Sequence, residues 1–128
     1  MEYKRKEGFR LVFSDGIPGT FNIIKIGERY VQSKPGEVMI HDLSLKGAKV
    51  STSLGLPAQK EQMQIELHFT VYEQPFIVRG SMAWKREEHS RYFYGVSFDE
   101  ESYSVTDLFE DLKQYARKRK ELEHGSRE

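Results

Sequence analysis

The stretch MQIELHFTVYEQPFIVRGSMAWK, residues 63–85, alternates apolar and polar side chains over most of its length. Alternation with a period of two is typical of a β-strand with one buried face. In the first half the apolar positions are Met63, Ile65, Leu67, Phe69 and Val71. Residues 73–75 then supply turn chemistry, and residues 76–85 return as a second strand. The stretch therefore predicts a long β-hairpin.

The second strand of this hairpin also decides where its tryptophan points. The alternation places Trp84 with the more apolar set of that strand, which also contains Phe76, Val78, Gly80 and Met82. An exposed aromatic ring could stack on a ligand. The pattern instead favours a position for Trp84 in the core or at a rim of the sheet.

Shorter strands are predicted on both sides of the hairpin. Residues 20–26 follow the turn-forming segment SDGIPG, weaker strands lie near Tyr30 and over 37–41, and GAKVST and RYFYGVSF follow. Turns recur every ~8–12 residues and no βαβ rhythm is present, which predicts a small antiparallel barrel or sandwich and argues against a parallel sheet.

The pattern changes to a helical period after residue 99. Apolar residues form one stripe, namely Val105, Leu108, Phe109, Leu112 and Tyr115. Ser104 and Asp107 have the spacing of a capping pair, and the run RKRK at 117–120 suits a helix C-terminus. We therefore predict a C-terminal amphipathic helix over 100–123 and a frayed tail over 124–128. The basic run is interpreted as a solvated helix end.

Composition limits the classes of function. The 128 residues suit one domain, and 20 basic and 20 acidic side chains leave no net charge to attract a nucleic acid polymer. The chain has no cysteine, no signal-like N-terminus and no apolar run long enough for a membrane span. We expect a cytoplasmic protein without disulfides.

The sequence contains no pattern that is typical of a catalytic site or a metal site. His41, His68, His89 and His124 are scattered and lack the spacing of a metal site. No nucleophile motif such as G-x-S-x-G is present. The sequence predicts a protein that is not an enzyme and that has neither a metal nor a cofactor.

The segment HDLSLKGAKV, residues 41–50, contains Asp42, Ser44 and Gly47 in the spacing D-x-S-x-x-G. In one interpretation these residues only build a turn: Asp42 and Ser44 accept backbone hydrogen bonds, and Gly47 takes a positive φ. In the other, Asp42 accepts from a purine or an arginine, Ser44 donates to a phosphate, and Gly47 admits a ligand to the backbone.

The ligand-binding interpretation needs cations, and the N-terminus supplies them. Lys4, Arg5, Lys6 and Arg10 lie close together around Gly8. Arginine binds phosphate through two hydrogen bonds and stacks on bases, so such an arm could clamp a nucleotide. A solvated basic terminus is the alternative.

Taken together, the basic arm, the DLSLKG turn, GSMAWK, YFYGVSF and the C-terminal helix resemble the PilZ domain family over nearly the whole chain. The resemblance implies a six-stranded antiparallel β-barrel that binds the bacterial second messenger cyclic di-GMP. It divides the chain into an arm over 1–17, a barrel over 18–99 and the helix.

The resemblance also implies the ligand-binding residues. The turn contributes Asp42, Ser44 and Gly47, and the R-x-x-x-R arm of the family contributes Arg10 as its second arginine. Lys6 stands where the first arginine is expected, and Arg5 is the nearest arginine. Lysine keeps the charge but loses the planar fork, so base recognition should weaken more than phosphate attraction.

These expectations define a stand-alone cyclic di-GMP receptor whose arm closes over the ligand and whose output passes through an unidentified effector protein. Two alternatives stay open. The first is a PilZ-like interaction module that has lost the ligand. The second is a small barrel that binds single-stranded nucleic acid, as OB-folds do.

Overall fold

The computed structural model of the protein describes residues 9–58 and 60–125, with side chains described as far as residue 120. The described part contains seven strands and one helix in the order β1 Arg10–Ile26, β2 Arg29–Tyr30, β3 Gly36–Ser44, β4 Gly47–Thr52, β5 Met63–Thr70, β6 Pro75–Glu88, β7 Arg91–Phe98 and α1 Val105–Gly125. The predicted arm residues Arg5 and Lys6 lie outside the described residues.

The sheet closes into a barrel. Its strand order is β2-β1-β3-β4-β7-β6-β5, and β1 also pairs with β5, so six antiparallel strands form a ring. The two-residue β2 pairs with the end of β1 beside that ring. The predicted six-stranded antiparallel barrel with a C-terminal helix is confirmed, and the open choice between barrel and sandwich is resolved.

Strand β1 is longer than the sequence predicted. It begins at Arg10, inside the segment predicted as an arm, and its pairing with β3 shifts between Val12 and Ile17. Gly16 lies within this irregularity with a φ of 76°, a conformation that favours glycine. The strand therefore places Arg10 at a fixed position on the barrel.

The core follows the alternation of the hairpin. Met63, Ile65 and Leu67 on β5 are at most 1% exposed and point into the barrel. Strand β5 thus buries one face, as the alternation of residues 63–71 predicted. Helix α1 packs on the barrel through Leu108 and Leu112, which are fully buried.

The helix is capped locally and is attached to the start of β1 by aromatic contacts. Its N-terminus is capped by Ser104, whose Oγ accepts a hydrogen bond from the Asp107 N–H at 3.1 Å. Edge-to-face aromatic contacts with centroid distances of 5.6 and 5.5 Å join Phe9 to Phe109 and Phe13 to Tyr115. The start of β1 is thereby packed against α1.

A further attachment of the helix is polar. Asp111 is 4% exposed, and its carboxylate accepts hydrogen bonds from the backbone N–H groups of residues 72, 73 and 74 at 3.1, 3.3 and 3.4 Å. These donors belong to the turn between β5 and β6. A buried carboxylate is tolerated here because the turn supplies several donors. In the described part of the chain, the helix α1 lacks the length of apolar sequence that crossing a membrane requires.

Candidate functional site

One row of residues crosses the outer face of the barrel from β1 to β6. The strand registers pair Val12 with Asp42, Asp42 with Lys49, Lys49 with Gly95, and Gly95 with Trp84. Directly paired residues on antiparallel strands project to the same side of a sheet. Five strands therefore contribute adjacent positions to a single surface.

A β-bulge places Asp42 on this surface. Val38 and Ile40 are buried, so simple alternation along β3 would turn Asp42 inward as well. The pairing between β3 and β4 shifts between Ile40 and Asp42, and after this shift Leu43 is buried instead. Bulges re-aim side chains in this way, and here the effect is to turn a carboxylate from the core toward the outer face.

A second bulge does the same for Trp84, and it overturns the predicted position of that residue. The pairing between β6 and β7 shifts between Met82 and Trp84, with Ala83 as the extra residue. Met82 is 8% exposed, whereas Trp84 is 42% exposed. The prediction that Trp84 belongs to the core or rim is wrong, because the bulge reverses the alternation on which it was based.

Arg10 and Asp42 form an ion pair at the start of this row. Arg10 Nη1 donates to Asp42 Oδ1 at 2.5 Å, although the two residues are 32 positions apart in the sequence. The side chains are 52% and 16% exposed, so the arginine remains largely in solvent. Asp42 thus accepts from an arginine, as the ligand-binding interpretation of the motif anticipated.

Ser44 has the turn-building role, which was the other interpretation of the motif. Its Oγ accepts from the Lys46 N–H and donates to the Gly47 carbonyl, both at 3.2 Å, and the residue is 8% exposed. Both contacts lie within the turn between β3 and β4. Ser44 therefore stabilises the turn that holds Asp42 beside Arg10.

Gly47 is required for a reason that differs from the positive φ we considered. Among the described residues, the positive-φ glycines are Gly16 and Gly27, so Gly47 has an ordinary backbone conformation. A Cβ at position 47 would lie 2.6 Å from the Val96 carbonyl oxygen. The glycine permits close approach of the turn to β7.

The same turn is fixed from the other side by Tyr103, which precedes the helix. Its hydroxyl donates to the Leu45 carbonyl, and its ring packs edge-to-face on Phe98 at 5.6 Å. Burial, with smaller contributions from Glu100 and Asp99, raises the pKa of the Tyr103 phenol to about 12. The tyrosine therefore remains a hydrogen-bond donor at neutral pH.

These residues line a groove of about 380 Å³. Its walls include Arg10, Asp42, Ser44, Lys46, Gly47, Lys49, Trp84 and Gly95. The indole lies directly over Gly95, where a Cβ would be 2.0 Å from Trp84 Nε1. The groove thus combines an arginine, a carboxylate, two lysines and the side of an exposed aromatic ring, a set of groups suited to a nucleotide.

The structure brings four of the six predicted site residues together: Arg10, Asp42, Ser44 and Gly47. Arg5 and Lys6 stay predictions, because they lie outside the described residues. Sequence reasoning missed Lys49 and assigned Trp84 to the core or a rim of the sheet. Lys49 follows from the register once β3 and β4 are paired, whereas nothing in the sequence around Ala83 indicates the bulge.

Among the side chains that the structure describes, those of residues 9–58 and 60–120, no group of three or more histidine, aspartate or glutamate residues is arranged to hold a metal ion. His41 and His68 instead bond to Ser51 and Glu66, at 2.7 and 3.1 Å.

Comparison with models of protein families identifies the family of the chain. The family model described as the PilZ domain matches residues 24–116, which is most of the chain. PilZ is a family of cyclic di-GMP-binding domains and is not catalytic. The matched range contains the turn residues and Trp84, and it begins after Arg10. None of the curated proteins matches the chain.

Proposed function

The chain belongs to the PilZ domain family, and from this premise we propose that it is a cyclic di-GMP receptor that uses the groove between β1 and β6. The observation that carries the proposal is the Arg10–Asp42 ion pair in a groove lined by Trp84. The pair is accessible from solvent on its arginine side.

The chemistry of the pair suits guanine. Guanine presents two acceptors, N7 and O6, which an arginine binds through two hydrogen bonds. Its N1–H and N2–H groups are donors, and a carboxylate can accept hydrogen bonds from them. Arg10 and Asp42 supply donors and acceptors side by side, and a base that binds there lies next to the Trp84 ring. Base–aromatic stacking contributes about 1–3 kcal/mol per base.

Cations around the groove would meet the phosphates. Lys46 lies in an exposed, loose ion pair with Glu100 at 3.8 Å, so little energy is lost when it turns to a phosphate. We propose that Arg5 and Lys6 of the arm close over the ligand from the side of Arg10. Ser44 and Gly47 act indirectly by holding the turn in position.

The decisive test is isothermal titration with cyclic di-GMP, with cyclic di-AMP as the ligand control. Arg10→Ala removes a charge-assisted contact worth about 1.5–3 kcal/mol, so affinity should fall by about tenfold to a hundredfold or more. Arg29→Ala is the matched control, because Arg29 lies on β2 in an exposed ion pair with Glu61. Absence of any binding by the wild-type protein, or equal losses in both variants, would contradict the proposal.

The arm has its own test. Lys6→Arg restores the planar fork that the family pattern places there, so it should tighten binding of cyclic di-GMP by a few-fold to about tenfold if the arm contacts the ligand. Lys4→Arg, which adds the same side chain two positions earlier, is the control. An equal response of the two variants would mean that only charge near the ligand matters.

We also propose that ligand binding changes a surface that an effector protein recognises. Arg10 lies between Phe9 and Leu11, which pack toward α1 and the core. Movement of Arg10 onto a ligand therefore acts on residues that hold the helix. Hydrogen exchange of α1 amides should change on addition of cyclic di-GMP, and should not change in Arg10→Ala.

A second function is favoured by one feature of the sequence, Lys6 in place of arginine. In this case the barrel is an interaction module that does not depend on the ligand. Partner binding would then be indifferent both to cyclic di-GMP and to Arg10→Ala, whereas the receptor proposal requires both to matter.

A further inference from the structure

A second charged surface lies beside the groove on the outer face of β3, β4, β6 and β7. We define it as the basic–aromatic face, formed by His41, Lys49, Arg86, Arg91 and Phe93. The strand registers pair Phe93 with both Ser51 and Arg86, in the row next to that of Lys49 and Trp84. The face therefore continues from the groove along the same strands.

Aromatic rings and a buried hydroxyl hold the cations of this face in place. The Phe93 ring centroid lies 5.5 Å from Lys49 Nζ and 5.8 Å from Arg86 Cζ. Arg91 Nη2 donates to Ser51 Oγ at 3.0 Å, and His41 Nε2 lies 2.7 Å from the same oxygen. These neighbours position the positive charges without neutralising them.

Of the three cations on this face, Arg86 is paired with an acidic side chain. Among the described residues, neither Lys49 nor Arg91 forms an ion pair, and Arg86 is joined by Glu88 at 2.8 Å. The pKa of His41 is lowered, most of all by burial and then by the positive charges of Lys49 and Arg91, whereas Asp42 raises it. Lys49, Arg86 and Arg91 thus lie together on one face of a chain that has no net charge, and Glu88 pairs with one of them.

Two features restrict what can bind there. Strands β4 and β7 are paired on both sides, so their backbones offer no free edge for an added strand. The Phe93 ring already has two cations and the His41 ring as neighbours, at 5.3 Å for the latter, so a nucleic acid base would have to displace them to stack. Anionic side chains fit this surface better than bases.

We propose that the basic–aromatic face is a docking surface for an acidic segment of a partner protein. Carboxylates of that segment pair with Lys49, Arg86 and Arg91, and positive and negative surfaces that match give both specificity and fast association. The docking itself does not depend on the ligand. Its link to cyclic di-GMP rests on the proposed function, because Arg86 Cζ lies 5.6 Å from the ring of Trp84, which lines the groove.

The test uses a short fluorescein-labelled poly-L-glutamate peptide as the probe and fluorescence anisotropy as the readout, with a poly-L-glutamine peptide as the uncharged control. We expect the wild-type protein to bind the acidic peptide and not the glutamine peptide. The double variant Arg86→Gln/Arg91→Gln should weaken binding by about tenfold or more, because two fixed charges are lost.

Lys34→Gln/Lys118→Gln is the matched control, because it removes the same charge from two exposed lysines outside the face. It should change affinity by less than about twofold, as expected for remote surface charges. Arg91→Lys keeps the charge at one position and should retain most of the binding. It also distinguishes loss of charge from loss of fold.

Several results would overturn the docking proposal. These are no binding of the acidic peptide, equal losses in the two double variants, or tighter binding of oligo-dT that depends on Arg86 and Arg91. A parallel titration with cyclic di-GMP separates the two proposals. Binding of the peptide through this face without binding of the dinucleotide would support the docking proposal and contradict the receptor proposal. Binding of the dinucleotide without binding of the peptide would support the receptor proposal and contradict the docking proposal.

Discussion

The buried carboxylate of Asp111 gives the sharpest prediction about stability. It is 4% exposed and accepts three backbone hydrogen bonds from residues 72–74, which join the helix to the turn between β5 and β6. Asp111→Ala removes the acceptor and leaves three donors to find water or remain unpaired. A lost charged acceptor and an unsatisfied donor each cost about 1–3 kcal/mol.

The geometry limits the size of the effect. The contact at 3.1 Å has ordinary length, whereas those at 3.3 and 3.4 Å lie near the outer limit for N–H···O bonds. The turn is also close enough to solvent for water to replace part of the loss. We therefore expect Asp111→Ala to lower the free energy of unfolding by about 2–4 kcal/mol, a large share of the 5–15 kcal/mol typical of a domain.

The measurement is equilibrium unfolding in urea followed by circular dichroism. With an m-value of about 2 kcal/mol/M, the midpoint should fall by about 1–2 M. Asp111→Asn keeps one acceptor oxygen and should lie between the wild type and the alanine variant. Glu110→Ala is the control, because its exposed pair with Lys113 at 3.3 Å is worth only about 0.2–0.5 kcal/mol. A loss for Asp111→Ala no larger than that for Glu110→Ala would refute the reasoning.

Three further predictions concern the site and its surroundings. Gly95→Ala places a Cβ where the Trp84 indole lies, so it should shift the fluorescence of Trp84 and weaken cyclic di-GMP binding more than Gly55→Ala does. Burial raises the pKa of Tyr103 to about 12, so its contribution to stability is complete below the ordinary tyrosine pKa of about 10 and is lost as the pH rises through about 12. Tyr103→Phe should reduce the fall in stability over that range, as measured by equilibrium unfolding. Arg91→Gln removes a cation that lowers the pKa of His41, so NMR titration of the imidazole should show a higher pKa than in the wild type.

Much of the fold followed from periodicity alone. The hairpin over 63–85 was predictable because burial of one face of β5 imposes a period of two on the sequence. The helix was predictable because its apolar stripe has a different period. Closure of the barrel was not predictable from local pattern, since it depends on β1 pairing with both β3 and β5. That part of the prediction came from the resemblance to PilZ.

Those residues of the candidate site that belong to a sequence motif were predictable. A residue whose orientation depends on a β-bulge was not. Asp42, Ser44 and Gly47 were identified from their spacing. Trp84 was misplaced, because an inserted residue such as Ala83 reverses the faces of a strand only when the partner strand lacks a matching insertion. A single strand does not contain that information.

Asp111 shows the same limit in the helix. Its position is on the buried side of α1, yet an aspartate in a helical pattern predicts a solvated side chain. The donors that make burial tolerable lie 37–39 residues away, in a turn whose position is fixed only by the closed barrel. Polar groups of this kind are determined by tertiary contacts rather than by the local pattern.

The start of β1 connects the groove to the helix through the alternation of a strand. Phe9 and Phe13 pack on α1 at one side, while Arg10 faces Asp42 and Val12 is 63% exposed at the other. Because these side chains alternate along one short segment, we propose that a ligand that repositions Arg10 also displaces the two phenylalanines. The basic–aromatic face is reached by a different path, through Trp84 and Arg86. Under the proposed function the ligand lies next to both surfaces, and a variant such as Phe9→Ala should uncouple the helix from the ligand while leaving docking on the basic–aromatic face intact.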